Sequence, residues 1–211
     1  LTNIRMYIEM LAQGIAEDTE REQEYFQIID SEGSRLTRLI NNVLDLAKLE
    51  KKQRVLDLKP GTFEEVVAEV QTVMQAKLQQ EGYSLTFEKE GMRPFNYDRE
   101  AMIQVLINLI ENSLKFGRAA VRKEIAIRTY EDGRWMKIAV SDCGPGIPRR
   151  ALKKIFDDFY RVDNSLTQTT RGTGIGLALV KKFIHLMGGH VTAANNPKAG
   201  CTVIISLPLA E

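Results

Sequence analysis

The apolar residues change their period part-way along the chain, and that change constrains the fold more than any other feature. Over the first fifty residues they keep a helical spacing. Leu1, Ile4, Ile8, Leu11 and Ile15 are separated by 3, 4, 3 and 4 positions, which draws one continuous seam along a helix. Gly14 and the polar run 17–20 mark a turn, and Thr19 with Glu22 predicts a capping box for a second helix over 20–51. Tyr25, Ile29, Leu36, Leu39, Val43 and Leu46 take heptad positions there, with Glu32 in one polar slot. Ile28, Ile40 and Leu44 widen the stripe beyond a two-stranded seam. One hairpin cannot bury two such stripes. Residues 1–54 are therefore expected to form an antiparallel helical hairpin that pairs with a second copy into a four-helix bundle, a homodimer. The alternative is a hairpin packed on the rest of its own chain.

Beyond residue 55 the pattern mixes both periods. Residues 55–58 predict a short strand, closed by a turn at Pro60-Gly61. Phe63, Val66, Val67, Val70 and Met74 predict a helix over 63–81, with Thr62 and Glu65 as its capping box. Tyr83, Leu85 and Phe87 alternate as a strand does. Met102, Val105, Leu106, Leu109 and Ile110 predict a helix over 98–116. Ile125 and Ile127 precede Asp132-Gly133, and Met136, Ile138 and Val140 follow it, as in a hairpin. Trp135 then falls on the face opposite Met136 and Ile138. A helix over 174–187 and strands over 191–193 and 202–207 complete the chain. Helices with antiparallel strands in this order predict an α+β protein, with an α/β sandwich over 55–211 behind the hairpin.

Composition excludes several functions. Twenty-nine Lys+Arg against 28 Asp+Glu leave a net charge of +1, which argues against a face for nucleic acid or an anionic membrane. Cys143 and Cys201 make neither a disulfide scaffold nor a metal quartet. Reduced thiols and a cytoplasmic location are expected. No apolar run nears the ~18 residues that span a bilayer, so no direct membrane contact is expected from this chain.

Three regions carry candidate chemistry. Asn108, Asn112 and Lys115 are spaced 4 and 3 along one helix and share a face. Two amide oxygens and an ammonium there suit a cation together with phosphate oxygens, although such residues more often serve solubility. Asp142, Gly144, Gly146 and Ile147 follow directly on a strand. Two glycines behind a carboxylate let a ligand approach the backbone, and the carboxylate can accept from the amine of a base; a plain strand-to-helix turn fits equally. Gly172, Thr173, Gly174, Gly176 and Leu177 lead into a helix whose N-terminus favours anions. This run is neither a P-loop nor a dinucleotide fingerprint. The polar stretch 165–170 between the two glycine runs is expected to be a mobile lid.

In this order the segments resemble the sensor histidine kinases of two-component systems over nearly the whole chain. NLIENSLKFG looks like the N box, DCGPGIP the first glycine box, FDDFYRVDNS the F box and RGTGIGLALVK the second glycine box. Gly200-Cys201-Thr202 resembles the last glycine segment, with Cys where Gly or Ser is usual. LTNIRMYIEML and RLTRLINNVLDLAKLE resemble the dimerisation and phosphotransfer hairpin. The resemblance implies ATP and Mg²⁺ as ligands, with Asn108 and Asn112 on the metal, Lys115 and Arg161 on phosphates, and Asp142 on the adenine amine. Gly144 and Gly146 would lie under the base, and Gly172, Gly174 and Gly176 at the lid hinge and the phosphate-binding helix start. Phe156 and Phe159 would anchor the lid by packing.

Two departures refine that implication. Water-activating ATPases of the same fold carry Glu four residues before the metal-binding Asn. Here Asn108 stands there, and an amide is no general base. Glu111, adjacent to Asn112, lies about 100° around the helix and either contacts the site or does not. The family's phosphoacceptor His sits in an H box just before an LT pair, and this chain opens on LT. Its two His, His185 and His190, align with no acceptor. The expectation is a longer parent, membrane-anchored or not, whose H box precedes Leu1, the alternative being a parent that has lost its acceptor, and no catalytic residue in this chain. The activity implied is transfer of the γ-phosphoryl of ATP to that His, for relay to an Asp of a response-regulator receiver domain. The alternatives are an ATPase clamp of the same fold and a non-catalytic nucleotide-sensing scaffold.

Overall fold

The computed structural model describes residues 2–15, 18–51, 54–61, 63–90, 93–162 and 173–209. The lid stretch 165–170, Gly172 and the capping residue Thr62 lie outside the described residues. The chain separates into two compact units, Leu1–Lys48 and Leu49–Glu211.

The first unit is helical. Helix α1 spans Thr2–Ala12 and α2 spans Thr19–Glu50. The cap of α2 lies one residue before the expected one. The Arg21 N–H donates to Asp18 Oδ1 at 2.8 Å, so Asp18 rather than Thr19 satisfies the free donors of the first turn. Tyr7 and Tyr25 join the two helices, their ring centroids 5.1 Å apart. Ile4 and Leu11 are half-buried, whereas Ile8 and Ile15 of the same seam are exposed. On α2, Phe26, Ile40, Val43 and Leu44 also stay exposed.

The second unit is a helix layer on a five-stranded sheet. Strand β1 is Lys59–Pro60, α3 Phe63–Glu81, β2 Ser84–Lys89, β3 Asn96–Tyr97 and α4 Arg99–Phe116. The chain continues with β4 Glu124–Asp132, β5 Trp135–Asp142, α5 Gly176–Leu186, β6 His190–Asn195 and β7 Cys201–Pro208. The sheet order is β2-β4-β5-β7-β6. Register aligns Ile125 with Asp142, Ile127 with Val140, Thr129 with Ile138, and Ile138 with Ile205. One face therefore gathers the buried Ile125, Ile127, Met136, Ile138, Ile205 and Leu207. Phe63, Met102, Leu106, Ile110, Leu179 and Phe183 from the three helices are buried as well. Helix α4 packs between α3 and α5.

Two expectations give way here. The sheet is mixed: β2 runs parallel to β4. A parallel pair needs a crossover, and β3 with α4 supplies it between the two strands. The short strand lies at Lys59–Pro60 rather than at 55–58, paired with Asn96–Tyr97. Val55 is left exposed, and the Asp57 N–H donates to Asp98 Oδ2 at 2.8 Å. Pro60, which lacks an N–H, is tolerated because this ladder has only two strands. Trp135 lies on the sheet face away from the helices, edge-on to His190 with centroids 4.8 Å apart.

Candidate functional site

Helix α4 is the axis on which the candidate segments converge. It is capped by Asp98, whose Oδ1 accepts the Ala101 N–H at 2.9 Å. It closes at Gly117, whose N–H donates to the Ser113 carbonyl. Asn108 is not on a solvent face: it is buried, only 8% exposed, at the start of α5. A Cβ on Gly176 would stand 3.2 Å from Asn108 Oδ1, so glycine there leaves the amide its place. Asn112 and Lys115, 4 and 7 residues further, are half-buried. Lys115 Nζ lies 4.7 Å from the Phe116 ring centroid. Glu111 turns to α3, where Lys77 Nζ meets it at 2.7 Å.

The far end of α4 meets the turn after β5. Asp142 Oδ1 accepts the Gly144 N–H at 2.9 Å and the Cys201 N–H at 3.2 Å. Its Oδ2 accepts the Ser113 hydroxyl at 3.4 Å and the Cys201 thiol at 3.2 Å. Burial first, then the Asp142 carboxylate, pushes that thiol far above the ordinary range. Gly146 has φ +77°, and Asn195 fastens Ile147 twice: Oδ1 accepts its N–H and Nδ2 donates to its carbonyl, both at 2.7 Å. Asn196 Nδ2 donates to the Asp142 carbonyl at 3.0 Å. Gly144 lies close to Gly117, 3.5 Å from its would-be Cβ to the Gly117 Cα. Asn108 and Gly117 are therefore about 14 Å apart along α4, with the helix start of α5 at one end and the glycine turn at the other.

The second glycine run begins at Thr173, which is half-buried, and α5 starts at Gly176 with Leu177 half-buried in its first turn. Gly174 has φ +74°, and a Cβ there would sit 2.7 Å from the backbone of Phe159. Gly174 is therefore outside the helix, and α5 starts at Gly176 rather than at the expected 174. Phe159 itself has φ +60° and is 64% exposed. Phe156 is buried, and the lid that both rings were expected to anchor lies outside the described residues. Arg161 is exposed. His185 and His190 are exposed too, outside the residues gathered on α4.

Sequence reasoning missed Ser113, Gly117, Asn195 and Asn196. The doublet Asn195-Asn196 at a strand end was the one local signal available. Two amide oxygens, Asn108 and Asn112, fit a Mg²⁺ ion that takes most of its ligands from phosphates and water. Among the described residues no group of three or more His, Cys, Asp or Glu offers an alternative metal cage. No helix there is long and apolar enough to cross a membrane.

Residues 97–211, more than half of the chain, match the family model described as histidine kinase-, DNA gyrase B- and HSP90-like ATPase. Residues 1–52 match the His Kinase A (phospho-acceptor) domain. The chain belongs to the sensor histidine kinases. Among curated histidine kinases, it is 30% identical over 220 residues to the sensor histidine kinase WalK of Bacillus subtilis, covering all of this chain and 34% of that one. To the sensor protein kinase WalK of Staphylococcus aureus it is 29% identical over 208 residues, covering 99% and 50%. The chain thus spans between a third and a half of these two histidine kinases. The Acinetobacter baumannii histidine kinase AdeS shares the fold with a TM-score of 0.77 at 21% identity, covering 100% and 95%. The histidine kinase ThkA in complex with the response regulator protein TrrA gives 0.72 at 26% identity, covering 99% and 59%.

Proposed function

We propose that this chain is the catalytic core of a two-component sensor kinase. It binds ATP with Mg²⁺ and transfers the γ-phosphoryl to a His imidazole, for relay to an Asp of a response-regulator receiver domain. Residues 55–211 hold the nucleotide, and residues 1–54 form the dimeric hairpin on which acceptor and regulator meet. The observation that carries this reading is the span of α4 between Asn108 at the start of α5 and Ser113 at the Asp142 carboxylate.

Asp142 accepts the exocyclic amine of adenine, and Gly144, Gly146 and Ile147 form the floor beneath the ring. Asn108 and Asn112 would hold Mg²⁺, which would supply charge neutralisation for the phosphates. Lys115, Arg161 and the backbone of 172–177 engage the phosphate oxygens. An imidazole nitrogen attacks the γ-phosphorus, and the bond to the β-bridging oxygen breaks as ADP leaves. The chain contributes positioning and charge stabilisation, as phosphoryl transfer requires. Asn108, where a water-activating Glu would stand, favours transfer over hydrolysis.

Calorimetry with ATP and Mg²⁺ tests the site. Asn112→Asp is expected to abolish measurable binding, and unchanged affinity removes Asn112 from the site.

A further inference from the structure

The glycine turn after β5 is held in shape by side chains outside it. Gly144 and Gly146 give residues 142–147 more backbone freedom than other residue types would, and Gly146 has φ +77°. Within the turn, the Gly144 N–H donates to Asp142 Oδ1. Ile147 is fixed from β6: the Asn195 amide accepts its N–H and donates to its carbonyl, both at 2.7 Å. With one acceptor and one donor set against a peptide N–H and C=O, that amide does what a neighbouring strand does. Asn195 is the last residue of β6, an edge strand, so its side chain carries ladder pairing beyond the end of the sheet. The turn makes room for it: a Cβ on Gly146 would stand 3.0 Å from Asn195 Oδ1.

The other end of the turn is fixed by the next residue. Asn196 Nδ2 donates to the Asp142 carbonyl at 3.0 Å, and its Oδ1 accepts the Thr202 hydroxyl at 2.6 Å. The Thr202 hydroxyl oxygen also lies 2.7 Å from that of Ser141. A hydroxyl has one proton. Thr202 gives its proton to Asn196, so Ser141 is the donor to Thr202. The bonds then run in one direction, from Ser141 through Thr202 and Asn196 to the Asp142 carbonyl, which orients the Asn196 amide with its NH₂ toward that carbonyl. The Asn196 N–H donates to the Gly200 carbonyl at 3.0 Å and fixes the backbone that carries the doublet.

We propose that Asn195 and Asn196 are positioning residues for the base: the doublet clamps the glycine turn at both ends, at Asp142 and at Ile147, and holds the floor in the shape that receives the ring before the nucleotide arrives. The inference rests on the reading of this turn as the base site. A turn ordered in advance leaves less conformational entropy to be lost on binding. Both residues act through the turn rather than on the nucleotide.

A clamp that serves stability alone leaves the affinity of the folded chain unchanged, and a positioning clamp does not. The full chain and its variants are titrated with a non-hydrolysable ATP analogue and Mg²⁺ by calorimetry. Asn195→Ala is expected to bind about tenfold more weakly and Asn196→Ala about fivefold. Asn195→Asp adds a test by rescue. Its ionised carboxylate sets an oxygen against the Ile147 carbonyl, whereas its protonated form has the acceptor and donor of the amide. Affinity relative to the unsubstituted chain is expected to rise for Asn195→Asp as pH falls from about 8 to about 5 and to stay level for Asn195→Ala. Amide exchange in the unsubstituted chain needs no variant to fold: the Ile147 N–H is expected to be protected before the analogue is added. Asp142→Ala tests the site itself and is expected to bind at least about tenfold weaker. Unchanged affinity in Asn195→Ala, a level ratio in Asn195→Asp, or an Ile147 N–H protected only after the analogue binds overturns the clamp, while a weakened Asp142→Ala keeps the base reading. Unchanged affinity in Asp142→Ala instead overturns the base reading, and the clamp with it.

Discussion

Two glycines on either side of the site do different work, and substitution separates them. Gly200 has φ +85°, and its missing Cβ leaves room for the Asp142 carbonyl. Gly200→Ala is expected to destabilise the second unit by about 3 kcal/mol, read as a fall in Tm of roughly 10 °C. Gly176 is the first residue of α5 and has no such backbone demand; its would-be Cβ presses only on Asn108 Oδ1. Gly176→Ala is expected to keep its Tm within a few degrees, yet bind ATP about fivefold more weakly in calorimetry, because a shift of a few tenths of an ångström displaces the amide. Cys201 adds a pH dependence. Its thiol is raised in the folded chain above the ordinary value of 9.0, so the stability it contributes is present below that value and is lost as pH rises from there. Urea midpoints are expected to decline above about pH 9 and to decline less in Cys201→Ser. Asn108 and Asp142 could be singled out as candidates from side-chain type and spacing. Ser113 and Asn195 could not, since each acts only through the approach of an element remote in sequence.

At the level of elements, legibility followed local information. Helices α3 and α4 carry strong 3.6-residue periodicity, and the α4 range matches its apolar pattern and cap. The β4–β5 hairpin was announced by Asp132-Gly133, and Gly133 has φ +62°. Pairing of β1 with β3 was invisible: two-residue strands have no period, and Pro60 argues locally against one. The parallel β2–β4 pair depends on a crossover, which alternation within either strand does not encode. In the hairpin, the apolar residues fall into two groups. Tyr7 and Tyr25 meet within the chain, while Ile40, Val43 and Leu44 are 59%, 48% and 50% exposed. We propose that a second copy covers that stripe, which would account for its apolar character. Light scattering is expected to give the mass of a dimer, and the double substitution Ile40→Asp with Leu44→Asp to weaken dimerisation on the order of 100-fold or more. A monomeric unsubstituted chain at micromolar concentration would refute the pairing.

For the whole molecule, the balance of 29 cationic and 28 acidic residues fits a chain whose charge recognition is confined to one nucleotide. The site then decides between keeping and spending the γ-phosphoryl. A hydrolase of this fold needs a base that strips a proton from water, and an amide cannot serve as one. Asn108 is moreover buried against α5, with Gly176 beside its oxygen, a position suited to an uncharged metal ligand. With saturating ATP and Mg²⁺, this chain is therefore expected to bind nucleotide without steady release of phosphate, and removal of Mg²⁺ by a chelator to weaken ATP binding about tenfold. Steady turnover by the isolated chain would instead assign it to the clamp ATPases. Binding without turnover leaves the phosphoryl held for an acceptor, the condition that distinguishes a kinase site from a hydrolytic one built on the same sheet and helices.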